Sequence, residues 1–122
     1  MKKLMLSVTA MLGMFALVSS AEATVLRVVV VQASDATAYM NDLAKIRATL
    51  ARLGSKSTMR VWRTRFAGPD AGAIVVSIEY PDMVTFAAED AKILKDAEYV
   101  SLIKGLDRVR KIVSDSLYEE MN

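Results

Sequence analysis

Two clusters of polar and aromatic residues could do chemistry in this chain, and both lie in segments that alternate like strands. The first contains Arg60 and Trp62, and the second contains Ser77, Glu79 and Tyr80. The sequence has no histidine and no cysteine. This excludes a Ser-His-Asp triad, a thiol nucleophile, an ordinary zinc site and a histidine ligand to haem iron. We therefore expect no metal site and no cofactor.

The first cluster predicts a ligand-binding wall. Strand alternation puts four side chains on one face: Arg60, Trp62, Thr64 and Phe66. On that face Trp62 could stack on an aromatic ligand while Arg60 binds an anionic oxygen. The alternative interpretation places Trp62 in the core or at a subunit interface, with the arginines as exposed charges that discourage aggregation of an edge strand.

The second cluster follows along the next predicted strand. Ser77 and Glu79 share a face with Val75, so Ser77 is a further candidate ligand-binding residue. A carboxylate that faces a cavity can act as a general base, which makes Glu79, with the neighbouring Tyr80, a candidate catalytic residue. The alternatives are that Glu79 pairs with an arginine of the neighbouring strand and that Tyr80 caps the core.

The elements that must position these residues begin with a strand and a helix. Four consecutive valines predict a strand from Val25 to Gln32, because β-branched residues favour strands. A helix capped by Ser34 or Asp35 and ending at Gly54 is indicated by apolar residues recurring in steps of four and three. These residues are Tyr39, Leu43, Ile46, Leu50 and Leu53.

The rest of the chain predicts a hairpin, a helical region and a last strand. The hairpin runs from Thr58 to Phe66 and from Ala73 to Tyr80, around a turn rich in glycine. The helical region starts at Met83, restarts at Asp96 and ends or kinks at Gly105; the last strand runs from Arg108 to Tyr118. The order β-α-β-β-α-β predicts an α+β, ferredoxin-like fold, with an antiparallel four-stranded sheet and helices on one face.

The predicted sheet is apolar on both faces. Val29 and Val31 fall on one side of their strand, and valines such as Val75 extend the apolar character to the neighbouring strand. One layer of helices covers only one face, so we expect a second subunit, a ligand or both on the other. The sequence therefore predicts a homodimer.

Two segments carry a resemblance to a known superfamily. The hairpin MRVWRTRFAGPDAGAIVVSIEYPDM and the later segment AEYVSLIKGLDRVRKIVSDSLYEEM resemble the dimeric α/β-barrel superfamily, in its NIPSNAP and antibiotic-biosynthesis-monooxygenase branches. The shared features are an aromatic in the second strand, a Gly-rich turn, a strand ending in Glu79-Tyr80 and a late helix that starts near Asp96, Glu98 and Tyr99.

This resemblance implies two sheets that close into a barrel across a dimer, with a cavity between each sheet and its helices. Members include cofactor-free monooxygenases, haem degraders and isomerases. The lack of histidine departs from the haem-binding branches, and it removes the cavity histidine that many small monooxygenases and isomerases of this shape have.

The amino terminus predicts a secretory signal peptide over residues 1–23. Lys2 and Lys3 precede an apolar run, and Ala21-Glu22-Ala23 has the small-x-small pattern of a cleavage site. The alternative, a membrane anchor, is disfavoured because the run is shorter than the ~20 residues that span a bilayer. We expect an exported domain over residues 24–122, periplasmic or secreted, without stable membrane insertion after cleavage. A net charge of +2 does not predict nucleic-acid binding.

Three functional hypotheses follow. The first is a non-catalytic protein that binds a small apolar or aromatic molecule in the barrel cavity. The second is a cofactor-independent monooxygenase or isomerase acting on an aromatic substrate. The third is a structural or stress-related envelope protein without a cavity.

Overall fold

The computed structural model describes residues 23–66 and 68–121. The predicted signal peptide, including Ala21, lies outside them except for Ala23. The elements are β1 (Val25–Ala33), α1 (Ala36–Arg52), β2 (Thr58–Arg63), a 3-10 turn (Gly68–Asp70), β3 (Ile74–Tyr80), α2 (Met83–Ile93), α3 (Ala97–Leu106) and β4 (Arg110–Glu119). Four strands form one sheet in the order β2-β3-β1-β4, with every neighbouring pair antiparallel. The predicted α+β, ferredoxin-like fold is confirmed.

Three aspartates start the three helices of the described residues. The side chains of Asp35, Asp82 and Asp96 accept hydrogen bonds from backbone N–H groups three residues later, at 2.7–3.0 Å. Each bond satisfies a donor that the first turn of a helix leaves without a partner. The cap at Asp96 explains why the second helical region is two helices, α2 and α3.

Some element ends differ from the predicted ones. β2 ends at Arg63 rather than Phe66, because the backbone of Thr64 turns there to bond with Ala73 and Gly72. Phe66 is fully exposed. Gly105 does not end α3, which continues to Leu106.

The core lies between one sheet face and the helices. The apolar stripe of α1 is buried there, as its spacing predicts, against alternate residues of the central strands. The central cluster of this core takes Val29, Val31, Ile74 and Val76 from the strands and Tyr39, Leu43, Ile46, Leu50, Ile93 and Leu106 from the helices.

The opposite sheet face, hereafter the outer face, is not covered by any element of the described chain. Strand register and alternation place Leu26, Val28, Val30 and Val75 in its middle, with polar and aromatic residues beside them. Those valines are half-buried by their sheet neighbours alone. Among the described residues no helix is both long and apolar enough to cross a membrane.

Candidate functional site

A cavity of about 430 Å³ lies between the helix-covered sheet face and the helices. Its walls are mainly apolar, because the inward residues of β1 and β3 face the stripe of α1. The apolar lining includes Val29, Leu43, Ile46, Val76, Ile93 and Ile103, and the polar lining includes Arg27, Tyr39, Tyr80, Asp90, Tyr99, Asp107, Arg110 and Asp115. A few polar groups in an apolar cavity are typical of small-molecule sites.

An ion pair lines the cavity. Arg27 of β1 donates from Nε to Oδ1 of Asp115 at 3.0 Å and from Nη2 to Oδ2 at 2.7 Å. Asp90 of α2 lies 3.9 Å from Nη1 of the same guanidinium. The hydrogen bonds that Arg27 donates to Asp115 lower the pKa of Asp115 and raise the pKa of Arg27. Both groups stay charged at neutral pH, so neither is a ready proton carrier.

Tyr39 and Arg110 also line the cavity. Tyr39 of α1 is 0% exposed, and its hydroxyl makes no hydrogen bond within the described chain. Arg110 of β4 lies beside this hydroxyl and favours its ionised form, but without the geometry of a hydrogen bond. Arg110 is also close enough to Asp115 to help lower the pKa of that carboxyl.

A β-bulge places Arg110 in the cavity. The register of β4 against β1 shifts between Val30 and Val31, so Asp115 faces Val29 whereas Ile112 faces Val31. A shift of one residue moves side chains to the opposite face of a sheet. Regular alternation from Asp115 would have turned Arg110 to the outer face.

The cavity tyrosines are hydrogen-bond donors rather than bases. Burial raises the pKa of Tyr80 to about 12, with nearby carboxylates such as Glu89 adding to the effect. Burial likewise raises the pKa of Tyr39 and of Tyr99. All three hydroxyls therefore keep their protons at neutral pH.

The structure separates the residues predicted from the sequence. Arg60, Trp62, Ser77 and Glu79 belong to the outer face and do not line the cavity. Trp62 is 53% exposed and donates from Nε1 to Oγ of Ser77 at 2.9 Å. Tyr80 is buried and lines the cavity.

Glu79 is exposed, and no ion pair to it exists among residues 23–66 and 68–121. It borders a separate depression of about 200 Å³ with Lys56 and Thr58. Within the same ranges, no group of three or more acidic side chains is arranged to hold a metal ion.

The sequence interpretation missed the polar residues of the cavity. Tyr39 was assigned only to an apolar stripe, where its hydroxyl carried no separate signal. Alternation does place Arg27 with Val25, Val29 and Val31, and this was the one available clue to a charge among core residues. Arg110 left no such clue, because its orientation depends on the bulge.

Comparison with known proteins finds relatives in structure only. No family model and no curated protein matches the chain. SnoaB, a cofactor-independent oxygenase from Streptomyces nogalater, superposes with a TM-score of 0.62 at 14% identity, covering 82% of this chain and 95% of SnoaB. A NIPSNAP family protein from Agrobacterium tumefaciens gives 0.60 at 10% identity, covering 80% and 91%.

A third solved structure, a conserved protein of unknown function from Bacteroides thetaiotaomicron described as a possible oxidoreductase, gives a TM-score of 0.59 at 10% identity. It is covered over its full length, by 82% of this chain. Identities this low establish a common fold and nothing finer. The chain thus has the ferredoxin-like fold of the NIPSNAP and cofactor-independent oxygenase structures, which confirms the resemblance predicted from its sequence.

Proposed function

We propose that this protein binds a small, largely apolar molecule that carries a hydrogen-bond acceptor, in the cavity between the sheet and the helices. The observation that carries the proposal is the Tyr39 hydroxyl, which is fully buried, protonated at neutral pH and without a hydrogen-bond partner in the described chain. Burying a hydroxyl without a partner costs about 1–3 kcal/mol. A ligand that accepts from Tyr39 would recover part of this cost.

The lining supports a ligand with an apolar body. Val29, Ile46 and Val76 contribute apolar walls on both sides of the cavity, and about 430 Å³ is within the range of small-molecule pockets. Arg27 and Asp115 bind each other with two hydrogen bonds, so they leave the ligand's main polar contact to Tyr39.

The test compares two ligands that differ in one acceptor. We expect 1-tetralone, a bicyclic ketone, to bind more tightly than its parent hydrocarbon tetralin, by about fivefold for a net hydrogen bond of about 1 kcal/mol. In Tyr39→Phe the preference should disappear while tetralin affinity is kept. Dissociation constants from equilibrium dialysis measure both.

Two further variants locate the binding site. Ile103→Trp places a larger side chain in the cavity and should weaken both ligands, whereas Trp62→Phe changes the outer face and should weaken neither. Binding of both ligands that resists Ile103→Trp would refute the proposed cavity site.

A second candidate function is a cofactor-independent oxygenase. Its support is the fold and the SnoaB neighbour, together with a cavity that admits an aromatic substrate. Anthrone, a ketone with an acidic methylene, tests it: one O2 would convert the methylene to a carbonyl and release one water, giving anthraquinone. Oxygen uptake above the buffer rate that falls in Ile103→Trp, the variant that fills the cavity, supports catalysis there. Oxygen uptake equal to the buffer rate would leave only the binding function.

The location proposed for the protein is outside the cytoplasm. The support is the pattern at residues 1–23, with its positive start, apolar run and Ala21-Glu22-Ala23 site. Expression of the full chain in a bacterium, followed by fractionation and amino-terminal sequencing, should recover a form that begins at Thr24. An intact chain retained in the cytoplasm would contradict the proposal.

A further inference from the structure

Arg110 is a buried cation with few partners. Its side chain is 9% exposed, and its single hydrogen bond within the described residues runs from Nε to Oδ1 of Asp107 at 3.3 Å. A guanidinium carries five N–H donors and stays charged at every ordinary pH. Most of its donors are therefore free to bind something else, in a place where an unpaired charge is costly.

The nearby carboxylates leave most of the Arg110 donors unbound. Asp107 is 62% exposed and contacts only Nε. Asp115 lies close enough for Arg110 to help lower its pKa, but both of its oxygens are already bound by Arg27. Asp90 likewise lies on the Arg27 side of the cavity.

We propose that the acceptor on the ligand is a carboxylate, held jointly by the Arg110 guanidinium and the Tyr39 hydroxyl. This inference rests on the proposed binding function and narrows it to small aromatic or alicyclic carboxylic acids. A guanidinium matches a carboxylate with two parallel hydrogen bonds, and charge-assisted bonds are about twice as strong as neutral ones. The hydroxyl of Tyr39 supplies a further donor to the same group.

The position of the pair suits such a ligand. Arg110 enters the cavity because of the bulge in β4, and its guanidinium lies beside the hydroxyl of Tyr39, which α1 places there. The apolar body of the acid then extends along Val29 and Val76 towards Ile93. A ligand anchored in this way has its charge neutralised at one end and its hydrocarbon buried along the rest.

Three probes with one ring system separate the contributions: 2-naphthoate, the neutral amide 2-naphthamide, and naphthalene. We expect the wild-type protein to bind 2-naphthoate at least about tenfold more tightly than 2-naphthamide. Arg110→Gln should remove this preference and leave 2-naphthamide within about twofold. Arg108→Gln, which removes an exposed charge two residues away, is the matched control and should change neither affinity.

The outcomes are distinguishable. If 2-naphthamide and naphthalene bind but 2-naphthoate binds no tighter, the carboxylate inference fails and the binding function stands. It fails also if 2-naphthoate is preferred equally by the wild type and Arg110→Gln. If none of the three probes binds the wild-type protein, the proposed function itself fails. Should Arg110→Gln not fold, Arg110→Lys, which keeps the charge but loses the paired donors, should retain only part of the preference.

Discussion

Without a bound ligand, the Tyr39 hydroxyl lowers the stability of the protein, because α1 buries it in a mainly apolar cavity without a hydrogen-bond partner from the described chain. Tyr39→Phe removes the hydroxyl and keeps the ring, so we expect the free energy of unfolding to rise by about 1 kcal/mol without ligand. Urea denaturation measures this. A loss of 1 kcal/mol or more in Tyr39→Phe would show that the hydroxyl has a stabilising partner.

The Arg27–Asp115 pair predicts a pH dependence of stability. Because the pair lowers the pKa of Asp115 in the folded protein below its ordinary 3.8, its contribution is present above pH 3.8 and is lost as pH falls through the lower folded value. Asp115→Asn should destabilise the protein at pH 7 by about 1 kcal/mol and flatten the decline in stability below pH 4. Asp42→Asn removes a partly exposed helical pair at 3.9 Å and should leave the profile unchanged.

At the scale of elements, periodicity predicted the strands, the helices and which side chains share a face. Met59 and Val61 do face the helices, with Arg60 and Trp62 on the other side. Alternation could not tell which face the helices cover, because β1 carries valines on both. The face that the helices cover determines whether Trp62 or Tyr80 lines the cavity. This face is determined by the packing of elements that are distant in the sequence.

At the end of α1, the backbone conformation of Gly54, and not a steric contact, determines the effect of a substitution on stability. Gly54 has φ +73°, and the bonds Gly54 N–H to Ala51 and Ser55 N–H to Leu50 close the helix. A Cβ at Gly54 or at Gly105 would meet no atom within 4 Å. Gly54→Ala should therefore lower the free energy of unfolding by about 1 kcal/mol through its backbone alone.

Gly105→Ala is the matched variant in a regular helix. It should raise stability by about 0.5–1 kcal/mol, since alanine restricts the unfolded chain and favours helix. Thermal unfolding of both variants should show shifts of opposite sign. If both variants shift thermal unfolding by the same amount, the positive φ is not the reason that position 54 needs glycine.

At the scale of the whole molecule, the outer face is where a second copy is expected. Its valines are apolar but lack a covering layer in the described chain, and Trp62 is half exposed beside them. Exposed apolar patches of this kind mark interaction surfaces. The sequence predicted a homodimer from this excess of apolar residues, and we propose that the two outer faces pack together.

The sharpest test places one charge in the middle of that face. The protein should sediment with twice the mass of one chain, and Val75→Lys should sediment as a monomer because a buried lysine pair repels and loses its hydration. Val84→Lys, at a 70% exposed position on α2, is the matched control and should remain dimeric. Trp62, the sole tryptophan, reports the same event, since its emission should shift to longer wavelength only in Val75→Lys. A monomeric wild type at ~100 μM would contradict the dimer. A dimeric Val75→Lys would place the interface elsewhere, because an interface across these valines excludes water from them.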